Sequence, residues 1–143
     1  MSTVFPIRPD TSDALVHDAI ARAIAKDAAP PIIEVAIEPP DIAIVTLRGE
    51  HDLSDTKLLS EGLARAGRHP AVLVDVSACT YIDLAVIGKL IVARNRQRAR
   101  GGRLELVIPC EATAMQHIAK RTRLGDALPI NASRAAGIDS LSR

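Results

Sequence analysis

Residues 71–100, AVLVDVSACTYIDLAVIGKLIVARNRQRAR, decide the fold. Residues 71–76 are apolar except for Asp75, the pattern of a strand covered on both faces. Residues 77–83 read as a loop holding the short apolar pair Tyr81-Ile82. Residues 84–100 read as a helix, closed by Gly101-Gly102 as its C-cap. Residues 103–108 (RLELVI) then form another strand, stopped by Pro109. A strand, a helix and a second strand in that order make a parallel crossover, so the class is α/β.

Upstream, residues 32–38 (IIEVAIE) and 42–48 (IAIVTLR) are β-branched runs joined by a Pro39-Pro40-Asp41 turn, which makes them a hairpin. Residues 49–53 read as a loop, and Ser54 as the N-cap of a helix to about Ala66, with Leu58, Leu59 and Leu63 inward. Residues 1–9 form an irregular arm. Residues 10–29 carry Val16, Ile20, Ala23 and Ile24 at helical spacing, with Asp10, Thr11 or Ser12 as cap, and Pro30-Pro31 ends that helix. Downstream come a helix from Glu111 to about Lys120, a short strand over 128–130, and a last helix from Ser133 through Leu141. The organisation is an arm and amphipathic helix over 1–31, then one α/β domain over 32–143 with a mainly parallel sheet.

Composition narrows the chemistry. The chain has 143 residues, 48% apolar and 24% charged, with one Tyr and one Phe. A domain of this size builds its core without a metal or disulfide staple, and this core is aliphatic. Aromatic platforms for stacking nucleotide bases are absent. Cys79 and Cys110 match no metal-ligand spacing and read as small core residues, and the four histidines are scattered, so no cofactor is expected. No apolar run approaches the roughly 20 residues of a membrane span, and no signal peptide opens the chain. A cytoplasmic protein with no direct membrane insertion is the expectation. The net charge of +1 hides an asymmetry: residues 1–83 carry seven Lys/Arg against thirteen Asp/Glu, and residues 84–143 eleven against four. Such a distribution suits steering of a charged partner.

Three segments in order, Val45-Thr-Leu-Arg-Gly-Glu-His-Asp52, Val72-Leu-Val-Asp-Val-Ser77 and Tyr81-Ile-Asp83, resemble the STAS family, the sulphate transporter and anti-sigma factor antagonist domain. The Gly101-Gly102-Arg-Leu-Glu-Leu stretch and the Arg123-Leu-Gly turn extend the resemblance, which covers about residues 33–142. It implies a sheet of four or five strands flanked by helices. It also implies a non-enzymatic module that binds an anti-sigma factor with serine-kinase activity, in bacterial transcription regulation. In the family, the kinase phosphorylates a Ser or Thr that follows the Asp matched here by Asp83. The added charge, about −1.5 to −2, breaks the complex.

The sequence departs from the family at that position. Leu84, Ala85, Val86 and Ile87 stand where Ser, Ser/Thr, Gly and Leu are expected, and neither Leu nor Ala accepts a phosphoryl group. Asp83 retains an N-cap role. The expected partner-binding set is therefore His51, Asp52, Asp83, Leu84, Ala85 and Ile87, with no phospho-acceptor at the family position, no catalytic residue and no metal. His51 on its own reads as a solvated loop residue. The N-terminal helix is a candidate cover for the apolar Leu84.

Asp52 and Asp83 as a neighbouring pair of carboxylates raise acid–base catalysis, but no nucleophile, metal set or glycine-rich phosphate loop accompanies them. The run Arg94-Asn-Arg-Gln-Arg-Ala-Arg100 reads as a solvated helix end that complements the helix dipole, with no specific nucleic-acid binding expected. The alternative to an antagonist-type module is a scaffold subunit of a larger STAS assembly, which self-associates, or an accessory subunit of a membrane transporter.

Overall fold

A computed structural model describes residues 32–143. The expected N-terminal arm, its helix and its covering role lie outside the described residues. Five strands form one sheet in the order β1-β2-β3-β4-β5: Ile32–Glu38, Ile42–His51, Ala71–Ile82, Arg103–Val107 and Ile130–Asn131. β1 and β2 are antiparallel, Val35 opposite Val45, and every later pair is parallel. The helices are α1 (Thr56–Ala66), α2 (Leu84–Ala99), α3 (Thr113–Thr122), the single turn α4 (Leu124–Ala127) and α5 (Arg134–Leu141). This is the α/β class expected, with a mixed sheet.

The two faces of the sheet are covered unequally. One face sets Val45, Leu47, Val72, Val74, Leu104 and Leu106 against the inward residues of α1, α2 and α3, among them Leu59, Leu90 and Met115. The other face sets Ile44, Leu73 and Val107 against Leu141 and Ile138 of α5. The central strand therefore buries both sides of its first half, which is why it reads as an unbroken apolar run. Gly137 lets α5 sit close: a Cβ there would lie 2.6 Å from Leu73 Cδ1.

Several boundaries differ from the sequence reading. β2 runs on through Gly49, Glu50 and His51, and β3 through Ser77 to Ile82, where loops were expected. Pairing continues there as Gly49↔Cys79 and His51↔Ile82, with register shifts flanking Arg48 and Gly49. Those irregularities break the simple alternation that marks a strand. Asp52, not Ser54, caps a 3-10 turn over Leu53–Asp55, and α1 starts at Thr56. Leu58, expected inward, is exposed, and so is Cys110. α2 ends as expected, and its two glycines have separate duties: Gly101 takes φ +80, and a Cβ on Gly102 would meet the Pro70 carbonyl oxygen at 2.7 Å.

Candidate functional site

The carboxyl ends of β2 and β3 lie side by side and feed the 3-10 turn and α2. Asp83 ties them together. Its Oδ1 accepts from the Val86 amide at 3.0 Å, capping α2, and its Oδ2 accepts from the Leu53 amide at 2.9 Å. The Asp83 amide in turn donates to the His51 carbonyl at 3.3 Å. Asp52 extends the same knot: its Oδ1 accepts from the Ser54 amide at 2.9 Å, and its own amide donates to Asp55 Oδ2 at 3.1 Å. The two carboxylates expected to be neighbours thus sit on adjoining turns. Each accepts backbone amides at a helix start, where the dipole favours negative charge. Capping satisfies both carboxylates.

That knot fixes two bare leucines at the surface. Leu84, first residue of α2, is 73% exposed, and Leu53, whose amide Asp83 holds, is 69% exposed. Tyr81 and Leu58 are also exposed, and Ala85 is half-buried. Leu53, Leu58 and Tyr81 were not in the expected set. An apolar residue flanked by Asp52 and Ser54 was the available signal for Leu53.

Two of the expected contact residues turn inward. His51 is buried because β2 continues through it and sets its side chain beneath the turn. Its Nε2 donates to the Arg48 carbonyl at 2.9 Å, and its buried Nδ1, without a hydrogen-bond partner, lies 4.0 Å from Asp55 Oδ2. His51 is thus neither a solvated loop residue nor part of the exposed surface. Ile87 faces the core, one turn from the Asp83 cap on the inner side of α2. Of the expected set, Asp52, Asp83, Leu84 and Ala85 share the surface end, with His51 and Ile87 beneath it.

Asp75, the buried acid of β3, belongs to the other face of the sheet. Its carboxylate accepts from the Ser77 hydroxyl and amide and from the guanidinium of Arg134, which also donates to Thr46 Oγ1 at 3.0 Å. Burial pulls this carboxyl upward, but the Ser77 and Arg134 bonds outweigh it and hold it below the ordinary range. Beside it, burial and then the Asp75 charge push the Cys79 thiol up to about 12. Among the described residues, no three His, Cys, Asp or Glu side chains gather to hold a metal ion, and no helix is long and apolar enough to cross a membrane.

A family model described as "Mlab, STAS domain" matches residues 37–130, well over half of the chain. The chain belongs to the STAS family. No curated protein matches this STAS chain. Among solved structures it is similar to an anti-sigma factor antagonist from Mycobacterium paratuberculosis, with TM-score 0.70 and 17% identity over 80% of this chain and 98% of that one. A putative anti-sigma factor antagonist from Thermotoga maritima is similar at TM-score 0.65 and 17% identity, over 78% and 95%. The murine anion transporter Slc26a9 is similar at TM-score 0.58 and 13% identity, over 90% of this STAS chain but 25% of the transporter. At these identities the likeness is one of fold.

Proposed function

We propose that this chain is a non-enzymatic STAS module of the anti-sigma factor antagonist type, acting in the cytoplasm and docking a serine kinase-like anti-sigma factor through the Leu53–Leu84 end of the domain. The observation that carries the reading is Leu84: 73% exposed hydrocarbon on the first residue of a capped helix. Exposed leucine on a rigid, well-bonded platform gains free energy when a partner covers it, by about 1.5–3 kcal/mol for a fully buried side chain. Since Leu84 and Ala85 carry no hydroxyl, release by phosphorylation at that turn is chemically closed. A scaffold or transporter-accessory role rests on fold likeness alone.

The test is a pull-down from native cell extract with wild-type and Leu84→Asp baits. The expected result is a kinase-fold protein retained by the wild type and lost with Leu84→Asp, and intact mass after incubation with that protein and ATP that shows no phosphate on residues 83–87. Identical retention on both baits removes the Leu84 surface from consideration. Large self-assemblies by light scattering favour the scaffold instead.

A further inference from the structure

A second surface lies along the side of α2. This helix carries Lys89, Arg94, Arg96 and Arg98 and no Asp or Glu. It borders α1 across a groove with a cavity of about 170 Å³. Leu63, Ala64, Val92 and Ala93 give the groove apolar walls, and Val92 is 45% exposed within it. Lys89, Arg96 and Arg100 line the same groove, which has no carboxylate among its described lining residues. Neither Lys89 nor Arg96 makes an ion pair among the described residues. Among the described residues, the Arg100 guanidinium donates to the neutral Gln97 Oε1 at 2.7 Å.

The helix dipole accounts for cations in the last turn of α2, but not for Lys89 in the middle of the helix. Of the groove's cations, Arg96 and Arg100 repel one another at i,i+4 spacing, and an anionic partner relieves that repulsion. The shape then selects among anions. Nucleic acid has little to offer an apolar wall, and none of the described residues lining this groove is an aromatic on which a base would stack. A lipid surface is flat, whereas the furrow between two neighbouring helices accepts a third helix laid along it. We propose that the α1–α2 groove docks an acidic amphipathic helix of a protein partner, its apolar side chains against Val92 and Ala93 and its carboxylates on Lys89, Arg96 and Arg100. This surface stands apart from the Leu84 reading and survives its failure.

The probe is a synthetic helical peptide of about 14 residues, roughly four turns, with leucines on one stripe and glutamates flanking it. Binding is followed by fluorescence anisotropy and by amide NMR shifts. Shifts gather at Ser60, Val92, Ala93 and Arg96. The double variant Lys89→Glu/Arg96→Glu weakens binding at least about tenfold. Lys120→Glu, on α3, leaves it within about twofold. A lysine-for-glutamate version of the peptide does not bind. Absence of binding, or equal loss in Lys120→Glu, overturns the proposal. So does tighter, groove-dependent binding of duplex DNA or phosphatidylglycerol vesicles.

Discussion

Asp83 does the most at the level of a single side chain. One carboxylate caps α2 through Val86 and holds the Leu53 amide of a turn thirty residues away in sequence. Asp83→Ala removes both bonds, and the expected loss is about 1–2 kcal/mol of stability by urea denaturation, together with loosening of Leu53. Leu84→Asp, by contrast, leaves the denaturation midpoint nearly unchanged, because the leucine is already in water. The two cysteines separate as cleanly. Cys79 is buried with its thiol pushed up to about 12, and Cys110 is exposed. Intact-mass analysis after alkylation at neutral pH is expected to show one adduct on the native protein, at Cys110, and two after denaturation. Asp83 was legible in the sequence because capping chemistry is local. His51 was not: whether a polar residue at a strand end faces solvent depends on how far the neighbouring strand continues, and Ser77-Ala-Cys-Thr80 carries no apolar run to announce it.

At the scale of elements, the helices were easier to read than the strand ends. α2 and α5 begin at the residues that Asp83 and Ser133 foretell, since a capping side chain and the first free amides lie within one turn. β3 extends six residues past the apolar run because its far half pairs with β2 across register shifts. α5 packs tightly on β3 at Gly137, where an added Cβ would lie 2.6 Å from Leu73 Cδ1 and 2.9 Å from Cδ2. Gly137→Val is expected to force α5 off the sheet and cost about 1–3 kcal/mol. A lowered thermal midpoint, with amide exchange accelerating first in α5, is the signature. Unaltered exchange in that helix removes the close-packing account.

The whole molecule divides by chemistry as well as by layer. One face of the sheet is hydrocarbon under three helices, whereas the other adds a polar row in which Arg134 bonds Asp75, and Arg103 and Asn131 bond Glu105. The sequence did not announce this row, because its members are spread from Asp75 to Arg134 and only the sheet brings them together. Asp75 is held below the ordinary carboxylate range, so its stabilising share is complete at neutral pH and is lost as pH falls through its native value. Asp75→Asn is expected to lower stability by roughly 1–2 kcal/mol at pH 7, a modest figure since Arg134 is half-exposed. The gap between the two proteins narrows on acidification in parallel urea titrations, and a gap that stays constant with pH discounts the ion pair. The strand order itself, β1 to β5 in chain order, has a kinetic meaning. Every strand pairs with the strand made immediately before it, so no pairing skips over an intervening strand. A nascent chain that has emerged only as far as β4 already holds four of the five strands and three of the four ladders, which suits vectorial folding on the ribosome.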